Sequence, residues 1–312
     1  MAYLLTEINR RAYVDPAGFI AQSDADFQRH VDQAAEQILL NRARSPIVLL
    51  SGPSGSGKTT TALKIEQALE RHGVTTHAIA LDNYFQTPDL INGPKTPEGG
   101  YDYESPDCLD MELLHQHFTA LERGEQIIIP EYDFVRQRRR EGKGTLLKLE
   151  QDEIAVFEGI HALNDNLAGR HPDAFKVYIS ARSNVLRLNQ IIFKGTWMRL
   201  CRRAVRDYNF RGNSVESTLA MWDNVRRGEK LYISPFKDRA NLIFDSSLPY
   251  EVNVLRKYAE PLFQAIPREN VRRREILNMI WAFDRFVPIK DEYVPRESLI
   301  REFIGGGQFD RH

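Results

Sequence analysis

The run Gly52-Pro53-Ser54-Gly55-Ser56-Gly57-Lys58-Thr59 fits the pattern G-x-x-x-x-G-K-[ST] in full. Glycines at these positions let the backbone curl until its N–H groups point inward at phosphate oxygens. A helix starting beside them adds its partial positive charge. Lys58 is placed to reach the β- and γ-phosphates of a nucleoside triphosphate, and the Thr59 hydroxyl to ligate Mg²⁺. The candidate ATP contacts are therefore Gly52, Pro53, Ser54, Gly55, Ser56, Gly57, Lys58, Thr59 and Thr60. The chain carries neither an Asn-Lys-x-Asp guanine-reading motif nor a Leu-Ser-Gly-Gly transporter signature.

Two carboxylates follow apolar runs that read as strands. Asp82 ends Ala80-Leu81-Asp82, and Glu158 ends Val156-Phe157-Glu158. In a parallel sheet such positions face the ligand crevice. There Asp82 could orient a substrate hydroxyl or take its proton, and Glu158 could serve a metal ion. Arg199, Arg202, Arg203, Arg206 and Arg211 crowd one helical stretch, several of them three or four apart and so on one face. Triphosphate is a natural anion for such a face, and Asp207 is the one acid close enough to pair within the helix. Arg136, Arg138, Arg139, Arg140 and Lys143 form a second basic run, read as a solvated hairpin tip rather than a nucleic-acid patch.

These groups need a scaffold of strands with ligands at their carboxyl ends. Apolar runs at 47–50, 76–81, 126–129, 154–157, 175–179 and 240–244 read as strands. Helical spacing covers 59–72, 108–123, 185–230, 250–265 and 270–283, and the first forty-odd residues, with Ser23 or Asp24 as a helix cap. Residues 82–106 are rich in Gly, Pro, Asn and Asp and read as a long functional loop. Residues 143–150 read as the return arm of a hairpin around the basic run. Strands alternating with helices imply an α/β class with a mostly parallel sheet.

The 312 residues suit one large domain with appendages, and a formal charge of -1 does not mark a general polyanion binder. Cys108 and Cys201 stand far apart in no metal-binding spacing, which fits structural thiols in a reducing cytosol. No apolar run approaches a membrane span, and the first residues lack a signal-peptide pattern, so a cytoplasmic protein is expected.

The ordered set of motifs resembles the uridine kinase and phosphoribulokinase group of P-loop kinases, over about Ile47 to Ala265, with a weaker echo in Phe303-Ile304-Gly305-Gly306. The resemblance implies a three-layer P-loop NTPase fold with a mostly parallel central sheet, a helical lid and a small β-hairpin insertion. It implies a kinase core at 46–267 with its lid at about 199–213, a helical lead-in at 1–45, and a C-terminal helix and tail at 268–312. It further implies transfer of the ATP γ-phosphate to an alcohol. Asp82 would be the catalytic base, Lys58 with the lid arginines Arg203, Arg206 and Arg211 would hold the phosphates, and Thr59 and Glu158 would hold Mg²⁺. Asp102 would bind ribose hydroxyls, and Phe85, Tyr132, Phe134 and Gln137 would line the acceptor pocket.

The chain departs from uridine kinases at Phe85, often Tyr there, at Gln137, often His, and at Asn213, where a further lid arginine is common. The expected partner is thus a small nucleoside-like acceptor, with a sugar phosphate or another small alcohol as the alternative. An ATP-binding regulatory or RNA-associated protein is the reading from another class. Monomer and homo-oligomer both stay open.

Overall fold

A computed structural model describes residues 2–309. Its strands are β1 (Ala2–Leu4), β2 (Ile47–Ser51), β3 (Thr75–Ala80), β4 (Ile127–Asp133), β5 (Arg138–Leu147), β6 (Glu153–Glu158), β7 (Phe175–Ser180), β8 (Asn184–Arg187), β9 (Gln190–Phe193) and β10 (Leu242–Asp245). Its α-helices are α1 (Leu5–Val14), α2 (Pro16–Asn41), α3 (Lys58–Arg71), α4 (Met111–Glu122), α5 (Asp165–Ala168), α6 (Gly195–Phe210), α7 (Val215–Gly228), α8 (Glu251–Gln264), α9 (Arg273–Phe283) and α10 (Arg301–Ile304).

Five strands form a wholly parallel sheet in the order β10-β7-β2-β6-β3. All five residues of β2 are buried, as a central strand covered on both faces requires. The next two strands of this sheet in chain order, β3 and β6, lie on one side of β2, and β7 and β10 lie on the other. The order therefore reverses at β2, and a ligand crevice is expected beyond its carboxyl end. One face of the sheet presents Val48, Leu50, Val156, Val177 and Ile179 to an apolar cluster that also takes in α1, α2, α3, α6 and the tail helices. The other presents Ile47, Leu49, Ala155, Phe157 and Tyr178 to a smaller cluster with α4. The α/β class and layered fold expected from the sequence are found.

Three local expectations are corrected. The helix read as starting at Ser23 or Asp24 begins at Pro16, whose fixed φ suits a first helical position. Asp15 caps it by accepting from the Gly18 N–H at 2.9 Å. The stretch from Val185 is not helical at once. Residues 184–193 make the β8–β9 hairpin, turned at Leu188 and Asn189 with φ of 49° and 63°, and β1 joins β8 in parallel. Two successive positive φ values give the turn that matches strand twist, and Leu there hid the signal. The basic run is only partly a hairpin tip. The β4–β5 turn spans 134–137, and Arg138 to Lys143 belong to the return strand. Arg139 pairs with Asp110 at 3.0 Å, and Arg140 with Glu131 at 2.7 Å.

Candidate active site

The phosphate loop joins β2 to α3 at the point where the strand order reverses. Its glycines answer to steric demands. A Cβ on Gly52 would lie 1.9 Å from the Ile179 carbonyl oxygen of neighbouring β7. Gly57, with φ +77°, is the left-handed residue that turns the chain into α3. Ser56 Oγ is buried with no hydrogen-bond partner. Its backbone oxygen accepts from Ser246 Oγ at 2.5 Å, which ties the loop to the end of β10.

Around the loop stand the groups the sequence pointed to. Lys58 opens α3, and its Nζ lies 4.0 Å from Glu158 Oε1 at the end of β6. Thr59 is exposed in the first turn of α3. Asp82 follows β3, next to β6 in the sheet. By surface area it is open to solvent, yet protein surrounds it closely. That desolvation raises its carboxyl above the usual carboxylate range, while the charges of Lys58 and Arg211 pull it back down. Lys58, Glu158 and Asp82 are thus brought together at the carboxyl ends of adjacent strands.

Helix α6 crosses the loop and sorts its arginines. Arg203 donates to Ser54 Oγ at 2.8 Å. Arg203, Arg206 and Arg211 all converge on Asp207, at 3.2, 2.8 and 3.7 Å. The buried Asp207 is thus the anion between the three like charges. Arg199 and Arg202 leave this set. Arg199 pairs with Glu229 at 2.6 Å. Arg202, fully buried, pairs with Glu251, donates to the Ser246 carbonyl at 2.9 Å and reaches the Gly55 carbonyl at 3.3 Å.

The acceptor candidates are only partly assembled. Phe85, Tyr132 and Phe134 form one aromatic group, with ring centroids 5.7 Å apart for Phe85 and Tyr132 and 5.1 Å for Tyr132 and Phe134. Gln137 sits exposed in the β4–β5 turn with φ 50°. Asp102 is completely buried, held by Arg227 at 2.6 Å and by the Tyr232 hydroxyl at 3.3 Å. It is not open to a ligand in this conformation.

Several neighbours carried no sequence signal. Glu104 lies in the long loop within reach of Arg203, Lys58 and Arg227. Desolvation pushes its carboxyl up to about 7 against the pull of Arg203. His161, beyond the end of β6, is buried, which pushes its imidazole down to about 4. Nothing separates Glu104 from Asp89 or Glu98 of the same loop except the fold. The tail supplies Glu302, whose Oε2 accepts from Thr60 Oγ1 at 2.6 Å and from the Thr60 N–H at 3.3 Å.

The described residues hold no cluster of three or more His, Cys, Asp or Glu that could bind a metal by themselves. None of the described helices is long and apolar enough to cross a membrane.

A family model for the phosphoribulokinase / uridine kinase family matches residues 47–252. A uridine kinase of Halobacterium salinarum is 30% identical over 210 residues, covering 67% of this chain and 84% of the relative. One from Staphylococcus haemolyticus is 29% identical over 202 residues, covering 64% of this chain and 87% of the relative. Among solved structures, a putative fructose transport system kinase from a Silicibacter species shares the fold. Its TM-score is 0.50 at 19% identity, covering 69% of this chain and 98% of that one. The strand–loop–helix with its phosphate-loop pattern, the carboxylates beside it and this match over two-thirds of the sequence agree: the chain belongs to the phosphoribulokinase / uridine kinase family and is a phosphotransferase that takes an alcohol group as acceptor.

Proposed function

We propose that this kinase transfers the γ-phosphate of ATP to a primary hydroxyl of a nucleoside-like acceptor, at the site formed by Lys58, Asp82 and Glu158. The observation that carries the reading is the convergence of these three on the carboxyl ends of β2, β3 and β6 beside the phosphate loop.

The loop fits a nucleotide. Its close backbone approach leaves no room for a Cβ at Gly52, and Ser56 Oγ is buried without a partner. The residues also fit Mg²⁺ shared with phosphate oxygens, because one hydroxyl, Thr59, and one carboxylate, Glu158, suit an ion that keeps several waters and takes few protein ligands. When bound, the ion supplies neutralisation of the charge on the β- and γ-phosphates. Lys58 adds a fixed positive charge there. Asp82 orients the acceptor hydroxyl and takes its proton. Arg203, Arg206 and Arg211, gathered on Asp207, are positioned to turn to the transferring group. Phe85, Tyr132 and Phe134 offer an aromatic wall for a base. The cytoplasmic placement expected from the sequence belongs to this same reading.

A second acceptor class, a sugar phosphate or other small alcohol, is favoured by one observation. Asp102, which should meet ribose hydroxyls, is consumed by Arg227 and Tyr232. An RNA-associated role is disfavoured by the pairing of Arg139 with Asp110, at the start of α4, and of Arg140 with Glu131 of β4.

A coupled ADP-release assay across nucleosides, sugars and sugar phosphates, with ATP and GTP as donors, tests the reading. Turnover with a nucleoside, lost in Lys58→Ala, supports it. Full turnover in Lys58→Ala would overturn the mechanism, and turnover with sugar phosphates alone would select the second acceptor class.

A further inference from the structure

A cavity of about 410 Å³ opens at the carboxyl end of β7, on the opposite side of β2 from Asp82 and Glu158. It shares Pro53 with the phosphate loop, but none of Lys58, Thr59, Asp82 or Glu158 lines it. Its wall carries Arg182, Lys194, Arg199, Arg226 and Lys237 against a single acid, Glu229. That acid is already taken by both Arg199 and Arg226. Arg182, Lys194 and Lys237 have no ion pair among the described residues. The lining is therefore strongly positive in a chain whose formal charge is only -1.

Two further features point to an anion rather than to a solvated basic surface. The N-terminus of α6, a 16-residue helix, opens on the cavity at Gly195 and Thr196. Its N-cap residue Lys194 makes no side-chain cap and its first turn holds no acid, so no opposite charge offsets its dipole there, although the Gly195 N–H already donates to Asn184 Oδ1 at 2.9 Å. Two buried polar groups of the wall also lack partners. Arg199, 2% exposed, spends Nη2 on Glu229 and leaves Nη1 without an acceptor. Ser180 Oγ, at the end of β7, has no partner either. Leaving such groups unsatisfied costs free energy that an anionic ligand would recover.

We propose that this cavity is a second ligand site, distinct from the phosphate loop, for a small molecule carrying a phosphate or diphosphate group. Forked guanidinium groups and a helix N-terminus favour that chemistry. The site touches the catalytic machinery through α6. A Cβ on Gly55 would meet the Arg199 carbonyl oxygen at 2.7 Å, and one turn on Arg203 holds Ser54. An occupant therefore contacts the helix that carries the phosphate-holding arginines.

Inorganic pyrophosphate titrated by calorimetry into the full chain, saturated with a non-hydrolysable ATP analogue and Mg²⁺, tests the assignment. The expected result is one further site per chain, weakened about tenfold or more in Arg182→Ser/Lys237→Ser and unchanged in Lys58→Ala. The thermal midpoint of the double variant without pyrophosphate controls for folding. Should that variant not fold, Lys194→Ser and Lys237→Ser singly carry the same expectation. Binding that disappears in Lys58→Ala and ignores the cavity variants would place all pyrophosphate on the phosphate loop and overturn the proposal, as would the absence of any second site. Because the site lacks Lys58 and Asp82, failure of the acceptor reading in the ADP-release assay leaves this outcome unaffected.

Discussion

The Asp82 carboxyl is raised by desolvation and drawn back by Lys58 and Arg211. A base so placed loses its function as pH falls through its raised pKa. The acid limb of kcat should then lie above the range of an ordinary aspartate. Asp82→Asn should lower kcat by roughly 10²–10⁴-fold and remove that limb, with ATP affinity nearly unchanged. Steady-state kinetics across pH with a direct nucleotide titration checks this, and equal loss of kcat and ATP affinity would make Asp82 structural. Glu104 affects stability in the opposite sense to a paired carboxylate. Its folded pKa of about 7 exceeds the reference 4.5, so the folded chain keeps a proton that the unfolded chain releases. Stability from this group therefore falls as pH rises from about 4.5 to about 7. Glu104→Gln should flatten that decline, read as urea midpoints across the window. A decline as steep as in the native chain would assign the slope to other groups.

At the scale of the element, α6 does two jobs with one kind of side chain. Arg203, Arg206 and Arg211 stay near the loop, gathered on Asp207. Arg202 instead locks the helix to α8 and the end of β10 through Glu251 and the Ser246 carbonyl. Both Arg202 and Glu251 are fully buried. Removing one partner of such a pair strands a charge, so Arg202→Met should cost about 3–5 kcal/mol in denaturant unfolding. A loss of less than about 1 kcal/mol would mean that the Glu251 charge is relieved in another way. Spacing alone put Arg199, Arg202, Arg203 and Arg206 on shared faces. It could not say which of them would meet a buried acid from a distant helix, because Glu229 and Glu251 carry no local signal.

Across the whole molecule, the C-terminal segment braces the phosphate loop. Leu299 packs on the left-handed Gly57, Glu302 bonds Thr60, and Phe303 lies beneath Arg202, its ring centroid 5.1 Å from the guanidinium carbon. Tyr250, Asp24 and Ser298 join α8, α2 and the tail in one buried hydrogen-bonded set. Phe303 is completely buried, so Phe303→Ala should destabilise by about 3–5 kcal/mol, measured as a fall in the urea midpoint. An unchanged midpoint would show that the tail adds no stability. These contacts join residues 48 to 274 apart in sequence, and no periodicity announces them. The phosphate loop, the strand-end carboxylates and the alternation of strands with helices were legible because each is local: a turn needs its glycines, and a buried strand needs its apolar run. The partners of Arg202, the burial of Asp102 and the basic cavity behind Pro53 were decided only by the tertiary structure. Each depends on which distant charges the packing brings together and shields from water.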